Sequence, residues 1–347
     1  SRLVCEESVR RPHDNFIVVV PEQYTMETQK KLVHMHSRKG ILNIDVVSFE
    51  RLAYKVFEEL GGGNRPVLDD TGKNLIVRRV LEKEKKKLDY FGSSIEKTGF
   101  VSELKSVISE LLQYGITPQQ LGEIGENVKE KQQLSAKLKD IRLVYKEFMA
   151  FLSTNYITSE EILDVLCGLV EKSKLIAGSE IIFDGFTGFT PIQYKLMRLL
   201  LVYSKGIKIS VTIDKKERPT GHESWNNLFF MSKEMMNRLI AICEEEGINV
   251  DDTVCVDRDI NYRYEGAKDL AYLERNLFRY KGGVYTGTPE NIRIYEGSNP
   301  KEELQYIVSE ILQLTRKEGF RYRDIAVVTA DLETYGKVAK SAVTTAI

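Results

Sequence analysis

The stretch EIIFDGFTGFTPIQ, residues 180–193, decides which fold this sequence predicts. Its apolar residues 181–183 run directly into Asp184, and an amphipathic helical pattern begins at Ile192. An apolar run that ends in an acid and is flanked by helical patterns is typical of a buried parallel strand. Open α/β sheets bind their ligands beyond the carboxyl ends of such strands. The stretch therefore predicts an α/β fold with ligand chemistry near Asp184.

Asp184 is placed as the Mg²⁺-binding acid of a nucleotide-driven motor, but the residue after it is not the expected glutamate. In a nucleotide-driven motor, the acid at this strand end holds Mg²⁺, and the next residue is usually a glutamate that activates water. The next residue here is Gly185, which has no side chain to polarise water. An Asp-Gly turn after an ordinary strand is the structural alternative. Asp214, which closes the next strand pattern, is the alternative acid for a working motor.

The composition limits the classes of protein to which the chain can belong. A length of 347 residues is enough for two or three domains, and 50 Lys and Arg residues nearly balance 51 Asp and Glu residues. The overall charge is therefore uninformative about nucleic acid, and any DNA contact has to come from a local surface. The sequence contains no apolar run long enough for a membrane span and no signal peptide.

The cysteines and the chain ends carry two further expectations. Cys5, Cys167, Cys243 and Cys255 are scattered and lack the spacing of metal ligands. This usage predicts a reduced, cytoplasmic compartment. The chain opens with Ser1 rather than Met and stops soon after a strand-like run, which indicates a fragment.

Hydrophobic periodicity divides the first half of the chain into a sheet part and a helical part. Residues 16–20 and 41–47 are predicted strands, each followed by an amphipathic helix, as in a βαβ unit of a parallel sheet. The glycine-rich residues 61–66 are a predicted hinge. Residues 67–176 show helical patterns without a clear strand, so they predict an all-helical insertion. Its basic run KEKKK, residues 83–87, is predicted to be a solvated helix end, with DNA binding as the alternative.

The sheet pattern resumes at Ile181 and is followed by the pattern of a second sheet. Residues 207–213 alternate between apolar and polar side chains, which predicts a strand, and residues 254–257 are a short candidate strand. Residues 292–295 and 325–328 are predicted strands on either side of a strongly amphipathic helix. They indicate the opening βαβ unit of a second α/β domain.

This order and a set of local motifs resemble a known family. Superfamily 1 DNA helicases have a RecA-like domain 1A, a helical insertion 1B and a second RecA-like domain 2A in the same order. The motifs more closely resemble the amino-terminal, helicase-like half of AddB, which is one of the two proteins of the bacterial ATP-dependent helicase–nuclease AddAB. These motifs are VVVPEQYTMETQKKL, DVVSFERLAYKVFEELGG, RPVLDDTGK, GFVSELKSVISELLQYGITPQQL, IFDGFTGFTPIQ and FRYRDIAVVTADLETYG. The resemblance covers residues 16–336 and implies domain 1A in 1–65 and 177–290, 1B in 66–176, and a truncated 2A in 291–347.

The resemblance implies a P-loop NTPase fold whose phosphate-binding loop lies before the first residue of this chain. Ser1 then matches the Ser/Thr of G-x-x-x-x-G-K-[ST], whose hydroxyl binds Mg²⁺, and Asp184 is the second expected Mg²⁺ ligand. ATP and Mg²⁺ are therefore expected cofactors of the full-length protein. The family's nuclease domain and iron–sulfur cluster lie outside this segment, so its four cysteines are not assigned to that cluster.

The resemblance also implies partners and a division of labour. In this family AddB pairs with an AddA-type helicase–nuclease subunit, and the complex acts on DNA in double-strand break repair by recombination. AddB is a helicase-like scaffold that does not itself drive unwinding. Gly185, in the place of the catalytic glutamate, agrees with that role.

A DNA-reading surface on the loops after the strands is a further implication of the family. In AddB-like proteins these loops line the channel that recognises a short recombination-hotspot (Chi-like) sequence in the exiting 3′ strand. The residues of this chain that match closely are Gln23, Thr25, Phe49 and Arg51. Tyr54 stands where the family can have a larger aromatic residue, and either Phe186 or Phe189 matches the aromatic residue of the third loop. Aromatic rings stack on bases, and arginine and glutamine read base edges through paired hydrogen bonds. The structural alternative is that Phe49 and Phe186 are core residues and Arg51 is a surface charge.

Three classes of function remain open from the sequence. The chain is the DNA-reading, non-motor half of a helicase–nuclease, as Gly185 favours, or it is an active P-loop ATPase and DNA helicase that uses another acid. The third class is a structural module that does not bind DNA. DNA binding that weakens steeply with salt separates the first class from the third.

Overall fold

A computed structural model of the chain shows two compact units, residues 1–255 and 256–347. The described residues are 2–61, 66–97, 99–128, 131–158, 160–214, 217–218, 220–221, 224–256, 262–278 and 282–346. Within these ranges, every helix is either too short or too polar to cross a membrane.

The first unit begins with two strand-to-helix steps. Its first elements are α1 (Arg2–Arg10), β1 (Asn15–Val19), α2 (Thr25–Met35), β2 (Ile44–Val47) and α3 (Phe49–Leu60). Pro21 follows β1, and its missing N–H group prevents the strand from pairing further. Ser48 is the N-cap of α3, because its Oγ accepts the backbone N–H of Arg51 at 3.3 Å. Both predicted strands of this segment are therefore present, within a residue or a few of the predicted ends.

The predicted helical insertion follows, and it contains two short strands that the sequence pattern does not predict. Its elements are β3 (Val67–Leu68), α4 (Asp70–Glu84), α5 (Phe100–Gln113), α6 (Pro118–Asn127), α7 (Gln132–Asn155) and β4 (Ile157–Thr158). β3 and β4 pair in parallel with each other and form a separate sheet. The prediction of helices alone is wrong on this point, because strands of two residues are too short to show a period of two.

The remaining elements of the first unit return the chain to the larger sheet. They are α8 (Ile162–Cys167), α9 (Lys174–Ala177), β5 (Ser179–Phe183), α10 (Pro191–Tyr203), β6 (Gly206–Ile209) and α11 (Phe230–Glu245). The predicted strand after Glu180 is β5, and the helical pattern from Ile192 belongs to α10. Thr190 caps α10, because its Oγ1 accepts the backbone N–H of Gln193 at 3.4 Å.

Strands β1, β2, β5 and β6 form one parallel sheet in the order β2-β1-β5-β6. The register aligns Val19 with Phe183 and Phe183 with Ile209, so the carboxyl ends of the strands lie at one edge. β6 is shorter than the predicted strand over residues 207–213. The backbone N–H of Ser210 still donates to the carbonyl of Phe183 at 2.9 Å, but β5 ends there. The residues beyond Ser210 therefore have no strand of the sheet beside them.

Helices cover both faces of this sheet, because its central strands are apolar on both sides. Ile17 and Ile181 point into a core that α3, α8 and α10 close on one face. Phe16 and Val18 point the opposite way, into a smaller core under α1 and α2. The parallel sheet with helices on two faces agrees with the predicted α/β class.

The residues of the predicted insertion, 66–176, contribute to two cores. Residues between 68 and 152 pack around a core of their own, which α4, α5 and α7 surround. Ile162, Leu166 and Val170 instead join the core of the larger sheet. The sequence-based domain limits stay a prediction, and residues 62–65 of the predicted hinge lie outside the described residues.

An ion-pair network holds the amino ends of the sheet strands together. Glu180 of β5 accepts hydrogen bonds from Arg11 Nη2, at 2.6 Å, and from Lys208 of β6. Lys205 pairs with Asp14 at 2.7 Å beside it. Burial opposes the ionisation of Glu180, but its hydrogen bonds to Lys208 and Arg11 outweigh that effect and lower its pKa. The network therefore ties the segment after α1 to β5 and β6.

The described part of the second unit is helical. Its helices are α12 (Lys268–Asn276), α13 (Pro300–Lys317) and α14 (Leu332–Ala346). The strands predicted at residues 292–295 and 325–328 are wrong, and no strand forms over the described residues 254–256 either. Ile294 and Val328 are 95% and 91% exposed, and neither has a partner strand among the described residues. The start of a second α/β domain is thus not seen in this unit.

Candidate nucleic-acid interface

The carboxyl edge of the larger sheet collects the loops that carry the predicted DNA-reading residues. Because all four strands are parallel, the segments after β1, β2, β5 and β6 leave the sheet at the same edge. These segments are residues 20–24, Ser48 with the start of α3, residues 184–190 and the described residues between 210 and 229. All seven residues of the predicted DNA surface lie in the first three segments or in the first two turns of the helix that follows them.

The first loop presents one predicted residue and buries another. After Pro21 the chain makes a 3₁₀ turn over Glu22–Tyr24, in which Gln23 and Tyr24 are exposed. Thr25 begins α2 and is buried, and its Oγ1 donates to the carbonyl of Glu22 at 3.0 Å. Gln23 therefore lies on the surface, while the Thr25 hydroxyl holds the turn in place.

The start of α3 places Arg51 beside that turn. Arg51 Nε donates to Glu22 Oε1 at 3.1 Å, which links the first loop to the second. Tyr54 lies one turn later on the same helix face, and its hydroxyl donates to Glu50 Oε1 at 3.4 Å. Burial, and then the Glu50 carboxylate, raise the pKa of the Tyr54 hydroxyl. An exposed guanidinium and a half-exposed phenol ring thus share one surface next to Gln23.

Phe49 lies beneath this surface rather than on it. It is only 7% exposed, and its ring contacts those of Phe183, Phe186 and Phe189, with centroids 5.4 to 6.0 Å away. Phe186 and Phe189 are partly buried and pack against the same core, with ring centroids 5.2 Å apart, so neither residue is fully covered. The structural alternative from the sequence therefore describes Phe49, whose ring is covered on several sides. Phe186 and Phe189 have partly open rings that the buried Phe49 supports.

Asp184 and Gly185 form a constrained turn at the end of β5. The backbone N–H of Asp184 donates to the carbonyl of Val19 at 3.0 Å, and its Oδ1 accepts the hydroxyl of Ser210. Gly185 has φ +83°, a left-handed conformation that residues with a β-carbon rarely adopt. A glutamate at this position would therefore strain the backbone. The turn therefore favours glycine here, and glycine has no side chain to activate water.

The described residues contain few groups that could bind a nucleotide or Mg²⁺. Ser1 lies outside them, and Asp184 is the single described residue of the expected pair. The sequence contains no G-x-x-x-x-G-K-[ST] motif to cradle phosphates. Across the described ranges, no three His, Cys, Asp or Glu side chains come together as metal ligands would. One carboxylate that already accepts a hydroxyl does not make a nucleotide site by itself.

Three of the four described cysteines show the features of buried structural thiols. Cys5, Cys167 and Cys243 are buried, and Cys255 is exposed. Burial raises the pKa of Cys5 and Cys243, and it raises that of Cys167 to about 11. These three thiols are therefore protonated at neutral pH, whereas metal ligands and nucleophiles are thiolates.

The basic run at residues 83–87 is largely paired with acids. Lys83 lies 2.7 Å from Glu147, and Lys87 lies 2.6 Å from Glu84. Lys85 pairs with Glu96 at 3.0 Å. These contacts favour the interpretation as a solvated helix end over a DNA-binding role.

Glu22 is the residue of this surface that the sequence interpretation omits. Its carboxylate lies between the first loop and α3, where it fixes the position of Arg51. Its place next to Gln23 in the motif PEQYT is the signal that could have found it.

Comparison with known proteins shows the family of the chain. The model of a family described as "ADDB, N-terminal" matches residues 2–274. The chain belongs to the AddB family. Three curated relatives, each named as the B subunit of an ATP-dependent helicase/deoxyribonuclease, are similar to it over most of its length.

The three relatives differ in their sequence identity to this chain, but the matched region covers nearly the same fraction of each relative. The one from Lachnoclostridium phytofermentans is 41% identical over 340 residues, which are 97% of this chain and 30% of the relative. The one from Caldanaerobacter subterraneus subsp. tengcongensis is 37% identical over 94% of this chain and 28% of the relative. The one from Clostridium perfringens is 32% identical over 95% of this chain and 28% of the relative. The chain thus spans less than a third of the AddB relatives that it matches.

Proposed function

We propose that this chain is the DNA-reading, non-motor part of the AddB protein of an ATP-dependent helicase–nuclease. It binds single-stranded DNA at the carboxyl edge of its parallel sheet and reads a short hotspot sequence in the 3′ strand during recombinational repair of double-strand breaks. The observation that carries this proposal is the convergence of three loops at that edge. The ion pair between Arg51 and Glu22 joins the first loop, which exposes Gln23, to the second, and the third loop carries Phe186 and Phe189.

The chemistry of the exposed groups suits bases better than phosphates alone. Arg51 and Gln23 each offer paired hydrogen bonds to a base edge. Tyr54, Phe186 and Phe189 offer ring surfaces, and base–aromatic stacking contributes about 1–3 kcal/mol per base. Phe49 acts indirectly, as the buried support of the ring pair. The Thr25 hydroxyl fixes the turn that carries Gln23.

The sheet supports a RecA-like domain 1A as the scaffold of this surface. A parallel sheet with helices on both faces and ligand residues at its carboxyl edge is the arrangement such a domain requires. ATP and Mg²⁺ would be bound with groups that this sequence does not contain, and Asp184 would face them. An AddA-type subunit and duplex DNA are the partners that this function requires.

The active-motor alternative needs an acid other than residue 185, such as Asp214, because Gly185 has no side chain to activate water. The missing carboxylate directly after Asp184 therefore favours the non-motor assignment. We therefore expect no DNA-stimulated ATP turnover by full-length AddB without its partner. Robust turnover that Asp184→Asn abolishes would overturn the non-motor assignment.

The decisive test measures the hotspot response of the full-length complex. Gln23→Ala, Thr25→Ala and Arg51→Ala are each expected to abolish the response while unwinding and nuclease activity persist. Arg10→Ala is the matched control, because Arg10 is exposed and lies before β1, on the opposite edge of the sheet. If all three variants respond to the hotspot as the parent does, the DNA-reading assignment is wrong.

Binding by the chain itself supplies a second measurement. Arg51→Ala is expected to weaken binding of hotspot single strands about 5- to 150-fold, the range of one paired base contact. Since a base contact releases no counterions, the slope of log K against log salt should stay unchanged. A structural module would show no salt-dependent DNA binding in the parent chain.

A further inference from the structure

The fourth loop of the carboxyl edge exposes the single tryptophan of the sequence. The segment after β6 begins at Ser210, at the same edge as the proposed DNA-reading loops, and its described residues are 210–214, 217–218, 220–221 and 224–229. Within the end of this loop Trp225 is 80% exposed, and Leu228 and Met231 close by are each 62% exposed. Large apolar side chains clustered on an exposed edge are typical of a binding surface.

The backbone that carries Trp225 is anchored from below. Lys233 of α11 has only 2% of its side chain exposed and pairs with Glu217 of the loop at 2.7 Å. Asn227 Nδ2 donates to the same Glu217 carboxylate at 3.2 Å, and Asn227 Oδ1 accepts the N–H of Phe229 at 2.7 Å. A buried cation and an amide thus fix the turn while the indole ring stays in solvent. The exposure of Trp225 is therefore a feature of a fixed turn.

The turn is continuous with the proposed DNA-reading surface. The hydroxyl of Ser210, at the start of the fourth loop, donates to Asp184 at the start of the third. A β-carbon placed on Gly188 would lie 3.8 Å from Met231 Cε, so the third loop contacts the first turn of α11. Gly188 lies between Phe186 and Phe189 in the chain. The helix that follows the Trp225 turn therefore contacts the loop that carries those two rings.

We propose that Trp225 is a second stacking platform for the single strand, beyond Phe186 and Phe189. The proposal rests on the DNA-reading function above and adds a residue that contributes affinity. A flat ring without paired donors stacks on any base, so Trp225 does not discriminate between sequences. A polynucleotide is the occupant because the turn continues a surface of aromatic, amide and guanidinium groups.

The single tryptophan makes the test direct. In the free chain the emission of Trp225 should be that of a solvent-exposed indole and should be quenched by acrylamide. Titration with an oligonucleotide of mixed sequence should quench the emission, since a base stacked on the indole removes its excited state. The same titration, followed by the anisotropy of labelled DNA, gives the affinity.

Three variants complete the experiment. Trp225→Ala should weaken single-strand binding about 5- to 150-fold for any sequence, the range of base–aromatic stacking. Trp225→Phe should restore most of the affinity, because a smaller ring still stacks. Leu42→Ala is the matched control, since Leu42 is 98% exposed but precedes β2 at the opposite edge. It should bind as the parent does.

The outcomes separate this inference from the function on which it rests. If Arg51→Ala weakens binding while Trp225→Ala does not and DNA leaves the emission unchanged, the stacking role of Trp225 is wrong and DNA reading stands. If neither variant affects binding, the DNA-reading surface itself is misplaced. If the partner protein shields Trp225 from acrylamide and DNA does not, the turn is a protein contact and the inference is overturned.

Discussion

Replacing Gly185 by alanine tests the turn that closes β5. Gly185 has φ +83°, and a β-carbon on it would lie 3.5 Å from Pro21 Cδ, an ordinary contact distance. Steric overlap therefore adds little, and the cost of Gly185→Ala is that of the left-handed backbone, about 1–2 kcal/mol. Gly185→Asn should cost less, because asparagine tolerates this conformation.

Thermal unfolding followed by circular dichroism measures this cost. A loss of about 1 kcal/mol lowers Tm by about 2–4 °C in a unit of this size, so Gly185→Ala should lower Tm by about 2–8 °C. Gly206→Ala is the matched control, because Gly206 has an ordinary φ and no atom within 4 Å of its β-carbon position. The control is expected to retain the parent Tm.

Gly185→Glu connects the same strain to function. It should lose as much stability as Gly185→Ala and should gain no ATP turnover, since positioning a water needs several groups besides one carboxylate. A Gly185→Ala variant as stable as the parent would show that the turn is not constrained as described. ATP turnover by Gly185→Glu at parental stability would refute the non-motor reasoning as a whole.

Two further predictions concern buried carboxylates. Asp140 is buried in the helical part and accepts the backbone N–H groups of Asp89, Tyr90 and Phe91 at 2.8 to 3.1 Å. Asp140→Ala should therefore lower the free energy of unfolding by about 2–4 kcal/mol. The loss would be measured as a lower urea midpoint at an unchanged m-value. An unchanged midpoint would contradict it. Hydrogen bonds, first from the N–H of Asn291, lower the pKa of Asp269 to about 2 from an ordinary value of about 3.9. Because the folded pKa is the lower one, the stabilisation is complete above about pH 4 and is lost as pH falls towards 2. Asp269→Asn should remove this pH dependence from the unfolding of the second unit, and an identical acid profile of variant and parent would refute it.

The sequence predicts the larger sheet well because its central strands, β1 and β5, are apolar on both faces. The pattern predicts a helix over residues 49–60, and α3 has these bounds, since Ser48 supplies its cap and five apolar side chains share one face. The strand patterns at residues 292–295 and 325–328 fail for a physical reason. Periodicity reports which side chains are apolar, whereas a strand also needs a neighbour, and the described residues contain none for these two segments.

The sequence predicts where the candidate site lies, but it does not predict which of its side chains are buried. The strand pattern alone places Gln23, Arg51 and Phe186 at one edge, because each follows the carboxyl end of a parallel strand. Whether a side chain after a strand end is buried or exposed depends on how the next helix packs against the sheet. Phe49 begins the apolar face of α3, with Leu52 and Val56 on the same face, so the helical period already contains the reason for its burial.

The same edge explains how a base could be bound at little cost to the fold. Arg51 and Glu22 are both more than half exposed, and an ion pair of that kind contributes about 0–1 kcal/mol. Arg51 can therefore exchange Glu22 for a base edge without loosening the sheet. Phe49 has no such freedom, because its ring fills the core between α3 and β5, and truncating a buried phenylalanine costs about 3–5 kcal/mol. Loss of the hotspot response in Arg51→Ala thus reports on DNA contact, whereas the same loss in a Phe49 variant would first report on folding.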